Sequence, residues 1–451
     1  DQIGMADVPP VLLEKALAYG ATLNDGGRLC YPPTMVEKII AGACKQFTFY
    51  GRDPKHDIEV GGDKVYFGTG GAAVQTLDLY TSQYRPSTLV DLYDFTRLVD
   101  QLPNVAWFTR CCVATDVTDL YELDINTAYA LLRGTSKPVA TSFTLPEHVD
   151  PIIDMFDIAL GGVGKFAQKP FCKAHISPVI SPLKYGEDAV MVALACMSRG
   201  MPISNITAGM TGATSPAPLA GTLALTLAET LASLVMTNVF EPGYPMIFSN
   251  WPLVIDLRTG AFRGGGGEMA LLNAASAQLS NSLGLPSGCG SSMTDAKAPD
   301  AQMGMEKAIS ALACGLAGGN MVYESSGMMA SLLGASFEAF VMDDEMLSHV
   351  HRAIRGIEVT DENLGFESIQ AAVAGSGHFI DAPETMASME RDYYYPKLAD
   401  RDEPIVWQEA GAVDHWHRAK VKVEQLLQQQ PSYLDPEIDL EIRQRYPILL
   451  A

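Results

Sequence analysis

Cysteine motifs and basic clusters are both lacking in this chain. The 8 cysteines never form C-x-x-C and lie mostly in apolar stretches, so we expect free buried thiols in a reducing cytoplasm rather than disulfides. Basic residues are scarce, because 31 Lys and Arg stand against 53 Asp and Glu, which gives a formal net charge of -22. Nucleic acids are bound through clustered Lys and Arg, and this composition therefore argues against a nucleic-acid partner.

Signals for membrane insertion or secretion are also missing. The first residues contain no basic region followed by an apolar stretch, as a secretory signal would. The longest apolar run, residues 217–236, is interrupted by polar residues that include Thr222, Glu229 and Ser233, and this pattern predicts a buried helix rather than a membrane span. We therefore expect a cytoplasmic protein that contacts no membrane.

The common signatures of phosphate-binding, nucleophilic and metal sites are absent from the sequence. Glycine-rich stretches such as 68–71 have neither the G-K-[ST] ending of a P-loop nor a G-x-G-x-x-G pattern, and no G-x-S-x-G occurs. The two H-x-H pairs, at 349–351 and 415–417, would point apart on a helix. We predict no catalytic acid, base or nucleophile and no tightly bound metal; a zinc thiolate at Cys289 with distant partners is the alternative.

A regular alternation of short β-rich runs and helices begins near residue 65. The runs recur at a spacing of roughly 30 to 40 residues, which is typical of βα units. We predict an α/β fold, a TIM (β/α)8 barrel, with strands at 65–68, 105–110, 138–143, 171–176, 203–208, 245–249, 285–291 and 319–324. A strand at 379–380 is the alternative to 65–68 for closing the barrel.

Helices and loops flank the predicted barrel on both sides. We assign residues 1–64 to an N-terminal helical extension, 65–360 to the barrel, and 361–451 to a lid loop with packing helices, all in one structural unit. The segment 413–430 has the spacing of an amphipathic helix. Together with Met- and Ala-rich helices elsewhere, it predicts a homo-oligomer.

Aromatic side chains stand near the predicted carboxyl ends of the strands, where α/β barrels present their sites. They are Phe108, Phe143, Phe248, Trp251 and Tyr323. Their faces together suit a quaternary ammonium group, which donates no hydrogen bond and is bound by aromatic rings. Each of them taken singly also fits a place in the core.

Three further sets of residues complete the predicted substrate site. The turn after the seventh strand contains Gly290, Ser291 and Ser292. Glu324 directly follows Tyr323 at the end of the eighth strand. His378 and Phe379 lie in a glycine-flanked loop, which we predict to close over the substrate as a lid.

The run 285–345 combines a Gly/Ser-rich turn, a polar T-D-A-K step, an apolar helix and a strand with a second small-residue loop. With S-P-A-P-L-A-G at 215–221, D-L-R-T-G at 256–260, G-H-F at 377–379 and Y-P-K-L at 395–398, it resembles the trimethylamine methyltransferase (MttB-type) superfamily. The resemblance implies a TIM barrel that moves a methyl group from a methylated amine to a corrinoid (cobalamin) carried by a partner protein.

The resemblance also implies a substrate class. Trimethylamine-specific members carry pyrrolysine, whereas this chain contains only standard residues, so it is similar to the members that demethylate quaternary amines such as glycine betaine. A quaternary nitrogen leaves as a neutral amine, and its demethylation requires no general acid. The carboxylate of a betaine could be accepted by the backbone N–H groups of residues 290–292, by Lys297 or by Arg110.

Two other functions stay open at the level of the sequence. One is a metal-dependent or lyase-type barrel enzyme that acts on a small acid; about one zinc per purified chain would favour it. The other is a non-catalytic betaine-binding protein, which would bind betaine and transfer no methyl group to any Co(I) acceptor.

Overall fold

A barrel of eight parallel strands forms the centre of the structure, a computed structural model that describes residues 2–429 and 433–451. The strands are β1 (Tyr66–Phe67), β2 (Phe108–Thr109), β3 (Val139–Thr141), β4 (Cys172–Ile176), β5 (Ile203–Thr207), β6 (Met246–Asn250), β7 (Ser287–Gly290) and β8 (Met321–Tyr323). From β2 onward each strand pairs with its successor, and β8 pairs with β1. A bridge between Gly68 and Trp107 joins β1 to β2 and closes the ring.

The predicted TIM barrel is confirmed, and every predicted run overlaps one of these strands. Because β1 closes the barrel and 379–380 belongs to no strand, the alternative closure is wrong. The strands are buried on both faces, since helices cover the outside and side chains fill the inside.

Helices follow the strands along the chain and surround the barrel. They are α1 (Pro10–Ala18), α2 (Pro33–Gly42), α3 (Leu89–Asp100), α4 (Leu120–Gly134), α5 (Val149–Ala159), α6 (Lys165–Gln168), α7 (Glu187–Ser198), α8 (Leu219–Phe240), α9 (Gly267–Ser282), α10 (Ala301–Leu316), α11 (Phe337–Ile354), α12 (Phe366–Ala374), α13 (Pro383–Arg391), α14 (Pro404–Glu409), α15 (His415–Gln428) and α16 (Pro436–Arg445). Side-chain caps begin several of them; Thr88 caps α3, and Ser336 caps α11.

Within the described residues, α8 is the one helix that is long and apolar enough to cross a membrane by length and composition alone. Its polar side chains nevertheless bond to the barrel. Asn205 of β5 donates to the Thr237 hydroxyl at 3.0 Å, and Glu229 accepts a hydrogen bond from the Ser181 hydroxyl at 2.6 Å. These contacts fit the helix that the sequence predicts to be buried.

The segment before β1 contains strands as well as the two predicted helices. Thr22–Leu23 pairs with Leu29–Cys30, and Gln46–Phe49 pairs with Ile58–Gly61. The second hairpin supplies Phe49 to the cluster inside the barrel. It therefore closes the barrel from below, at the amino-terminal ends of the strands.

Other short elements lie between the barrel strands and helices. One small sheet contains Gln75–Leu77, Tyr84–Pro86, Met328–Met329 and Gly334–Ser336, and a hairpin contains Val179–Ile180 and Lys184–Tyr185. Single 3-10 turns occupy Pro54–His56, Pro146–His148 and Ala330–Leu332.

After the barrel, helices α12 to α16 pack unevenly. α15 packs against α11 and α3, and α16 packs against α5. The amphipathic helix expected at 413–430 is α15, although residue 430 lies outside the described residues. Between α11 and α15 many apolar side chains are exposed, among them Ile357, Phe366 and Val373.

Candidate active site

The inner face of the barrel carries a cluster of aromatic side chains. Trp107, Trp251 and Tyr323 pack together there. The Tyr323 ring centroid lies 5.1 Å from that of Trp107 and 5.2 Å from that of Trp251, with the ring planes inclined rather than stacked. These rings form an aromatic lining on the inner face of the barrel, and this name is kept for them below.

Two glycines make room for the tryptophans of the aromatic lining. A Cβ atom on Gly68 would lie 2.2 Å from Cε2 of Trp107, and one on Gly290 would lie 2.7 Å from Cδ2 of Trp251. Neither distance leaves space for a side chain, so any other residue would displace a ring. Gly290 thus contributes to the site through its missing side chain.

Three of the predicted aromatic residues face away from the lining. Phe108, Phe248 and Phe143 pack in or against the core between the barrel and its helices. The structure therefore does not bring them to the barrel interior. Successive strand residues point to opposite faces, and nearness to a strand end alone does not show to which face a ring points. Trp107, the inward neighbour of Phe108, is the residue of this strand that joins the aromatic lining.

A lysine and a histidine of β4 share the inner face with the aromatic lining. Lys173 Nζ lies 4.6 Å from the Tyr323 ring centroid, and the His175 ring lies 5.6 Å from that of Trp251. Lys173 Nζ and His175 Nδ1 have no hydrogen-bond partner among the described residues. Burial lowers the pKa of Lys173 to about 7. Burial, helped by the charges of Lys173 and Arg110, lowers the pKa of His175 well below its usual value, so that histidine is neutral at pH 7.

Glu324 lies at the carboxyl end of β8 with a buried side chain, 1% exposed. Its φ of +64° places it in the left-handed region, which is uncommon outside glycine and often marks functional sites. Its Oε2 has no hydrogen-bond partner in the part of the chain that the structure describes. Burial raises the pKa of Glu324 to about 8, against the opposing effects of the Lys307 charge and the Gly71 N–H.

Arg110 follows β2 and carries a partly buried guanidinium group. No hydrogen bond or ion pair joins this group to any described residue. Asp124, the acidic residue that raises its pKa against burial, instead accepts hydrogen bonds from the Thr144 hydroxyl and contacts His148 Nδ1, both at 2.8 Å. The guanidinium is therefore free to bind a carboxylate, as the sequence analysis proposed.

The turn after β7 is bound to α10 rather than open to a ligand. The Ser291 hydroxyl lies 2.6 Å from the Ser310 hydroxyl, and the Ser292 N–H donates to Ser310 Oγ at 2.9 Å. The expectation that the Ser292 N–H donates to a substrate carboxylate is therefore wrong, because this N–H already donates to Ser310. Lys297 donates to the Asp295 carbonyl at 2.6 Å and is itself exposed.

The predicted lid residues lie on the surface. His378 Nδ1 is 3.4 Å from Asp381 Oδ1, and the Phe379 side chain is 46% exposed. No hydrogen bond, ion pair or ring contact within the described ranges joins either residue to Tyr323. Closure over the substrate stays a prediction.

Metal-ligating side chains do not converge in the described residues: no group of three or more His, Cys, Asp or Glu could hold a metal ion. Cys289 belongs to the outer core, where its thiol contacts that of Cys314. His175 contacts the aromatic lining on the inner face instead. Cys289 and His175 thus lie on opposite faces of the barrel.

The chain is similar to amine methyltransferases over nearly its whole length. It is 30% identical to a glycine betaine methyltransferase of Desulfitobacterium hafniense (strain Y51) over 421 residues, 93% of this chain and 87% of that one. It is 31% identical to the trimethylamine methyltransferase MttB of Desulfitobacterium hafniense (strain DSM 10664 / DCB-2) over 388 residues, 86% of this chain and 77% of that one.

Among solved structures, the Methanosarcina barkeri monomethylamine methyltransferase MtmB aligns with a TM-score of 0.48 and 14% identity, covering 96% of this chain and 90% of that one. The family described as trimethylamine methyltransferase (MTTB) matches residues 1–446. A match of this extent shows membership, and the chain belongs to the trimethylamine methyltransferase (MTTB) family.

Proposed function

We propose that this methyltransferase moves a methyl group from glycine betaine, or a closely related quaternary amine, to the Co(I) of a corrinoid carried by a partner protein. The observation that carries the proposal is the aromatic lining of Trp107, Trp251 and Tyr323 inside the barrel. The family supports the class of reaction, and the relative named glycine betaine methyltransferase supports the class of substrate.

An aromatic lining suits a cation that can form no hydrogen bond. A cation over an aromatic face gains about 0.5–1 kcal/mol at exposed sites and about 2 kcal/mol when desolvated. Trp251 and Tyr323 are 6% and 0% exposed, so they provide the desolvated case. The neutral ring of His175 beside them adds a further face without a repelling charge.

Arg110 provides the complementary group for the carboxylate of a betaine. A guanidinium binds a carboxylate through two parallel hydrogen bonds. His175 connects the two halves of the site, because its ring contacts Trp251 and Tyr323 while the Arg110 charge lowers its pKa. The Arg110 charge thus acts on the histidine that contacts the aromatic lining, which supports a site with one group for each end of a small betaine.

Methyl transfer from a quaternary nitrogen requires little acid–base catalysis by the protein. The methyl carbon is attacked in line, the C–N bond breaks, and its electron pair stays on nitrogen as dimethylglycine leaves. The side chains need only orient the methyl group and exclude water. The corrinoid is a reactant that approaches the carboxyl face, where His175, Ala208 and Met210 are partly exposed.

A homo-oligomer in the cytoplasm without a tightly bound metal completes the proposal. The exposed apolar side chains between α11 and α15 support self-association. Light scattering that gives the 48.5 kDa mass of a single chain would contradict it.

Demethylation of free substrates by the purified protein tests the function. With Co(I) cobalamin as acceptor, we expect the absorbance change of cobalt methylation with glycine betaine or a near relative, and little or none with trimethylamine. Trimethylamine reacting faster than every betaine would overturn the proposal. Betaine binding without turnover would favour a binding protein, and about one zinc per chain would favour a metal-dependent enzyme.

A further inference from the structure

Glu324 is a buried carboxyl group that the methyl transfer described above does not use. A buried carboxylate with one oxygen left without a hydrogen-bond donor is costly, and such a group stays protonated until a cation pairs with it. We propose that Glu324 is the acidic partner of the quaternary nitrogen, protonated in the empty site and ionised when the cation binds, so that each betaine bound releases a proton. This inference rests on the proposed function, because it names a contact in that substrate site.

The backbone around Glu324 brings its carboxyl group against the segment that follows β1. Tyr323 points inward, and regular alternation would send residue 324 outward, but the left-handed φ of +64° breaks that alternation. A Cβ atom on Gly70 would lie 2.6 Å from Glu324 Oε1. Gly70 is two residues after Gly68, whose missing side chain accommodates Trp107, so Glu324 and one ring of the aromatic lining border the same short segment.

The charged groups around Glu324 compensate its carboxylate only in part, and its Oε2 stays without a hydrogen-bond partner among the described residues. Lys307 of α10 pairs with Asp343 of α11 at 2.6 Å, and Asp343 also accepts a hydrogen bond from the Gly327 N–H. Burial raises the pKa of the nearby Cys111 thiol well above its usual value, so that thiol carries no charge at neutral pH. A substrate cation would therefore be the missing charge partner of Glu324.

Lys173 is the second group near the lining that titrates in the neutral range. It lies on the Tyr323 ring, with its pKa lowered to about 7 by burial. Loss of its charge would also strengthen cation binding as the pH rises. The experiment must therefore separate Lys173 from Glu324.

The pH dependence has a defined sign. The cation favours the ionised carboxylate, so below the pKa of Glu324 near 8 the ligand must displace a proton and binds more weakly. Above that pH the affinity levels off. We expect the Kd of glycine betaine to fall by about tenfold or more between about pH 6.5 and about pH 8.5.

Calorimetry on the wild-type protein measures the proton directly. Titration with glycine betaine near pH 7, in two buffers of different ionisation enthalpy, should show release of about one proton per betaine. The matched ligand is 3,3-dimethylbutanoate, which has the same shape with carbon in place of the charged nitrogen. It should release no proton, and its affinity should not rise with pH.

Three variants identify the group that titrates. Glu324→Gln should bind betaine without the proton release, whereas Lys173→Met should retain most of it. Glu14→Gln, an exposed carboxylate on α1, should behave as wild type.

The outcomes separate this inference from the proposed function. If betaine is demethylated while the wild type releases no proton, or while Glu324→Gln still releases one, the role of Glu324 is refuted and the function stands. If only Lys173→Met lost the proton release, the proton would come from Lys173, and the role of Glu324 would again be refuted. If the protein neither binds nor demethylates betaine, both proposals fail.

Discussion

Phe248 and Trp251 stand three residues apart at the end of one strand, yet their surroundings are opposite. Phe248 lies within β6 and packs outward into the core beneath the helices. Trp251 directly follows β6 and packs inward against Tyr323 and His175. Nearness to a strand end locates the mouth of a barrel, but the parity of the position decides whether a ring stabilises the fold or faces a ligand.

Substitution of Phe248, the ring that packs outward, should have the largest effect, and this effect should be a loss of stability. Phe248→Ala removes a fully buried ring and leaves a cavity, so we expect a loss of about 3–5 kcal/mol in the free energy of unfolding. Denaturant unfolding measures it. The folded fraction should bind glycine betaine with unchanged Kd, and a large rise in Kd would place Phe248 in the site after all.

Substitution of Arg110 should have the second largest effect, and it should weaken the binding only of ligands that carry a carboxylate. Arg110→Ala should raise the Kd of glycine betaine roughly tenfold to a hundredfold, since a hydrogen-bonded charge pair contributes about 1.5–3 kcal/mol. Arg110→Lys keeps the charge and loses the paired hydrogen bonds, so its Kd should lie between those of the wild type and Arg110→Ala. Tetramethylammonium has no carboxylate; if its affinity dropped as much as that of betaine, the assignment would be refuted.

Substitution of Trp251, which packs inward, should change the affinity for glycine betaine more than substitution of Phe248 does. Trp251→Ala should raise the Kd of glycine betaine by about twofold to thirtyfold, on the scale of about 0.5–2 kcal/mol for a ring facing a cation. Trp251→Phe should recover part of this loss because it restores an aromatic face. Equal Kd values for both variants and the wild type would exclude Trp251 from the cation site.

The smallest effect is expected at the surface loop. His378→Ala and Phe379→Ala remove exposed side chains that contact no part of the aromatic lining in the described residues, so each should change the free energy of unfolding by less than about 0.5 kcal/mol. Their effect on the KM for betaine decides the predicted lid. A severalfold rise in KM would show closure during turnover, and no change would remove both residues from the site.

The barrel could be predicted from the sequence because the pattern of an apolar run followed by a helix is repeated eight times. Eight apolar runs separated by helices locate all eight strands, and the closing contact of Gly68 with Trp107 follows from the fold. The N-terminal hairpin at Gln46–Phe49 was missed, since its short strands lack a regular alternation.

The candidate site was only partly readable, because it depends on contacts between distant residues. Tyr323 and Trp251 were identified, and Arg110 was proposed for the carboxylate. Lys173 and His175, spaced for one face of a strand, gave a signal that was not used. The unpaired state of Glu324 follows from packing against Gly70 and cannot be deduced from either segment alone.

A structure of the protein with glycine betaine bound tests most directly whether the aromatic lining is the substrate site. We predict the quaternary nitrogen within about 6 Å of the Trp251 and Tyr323 ring centroids, the reach of a cation–π contact, with the carboxylate on Arg110. A betaine bound more than about 10 Å from both rings, far beyond that reach, would contradict the assignment of the aromatic lining as the substrate site.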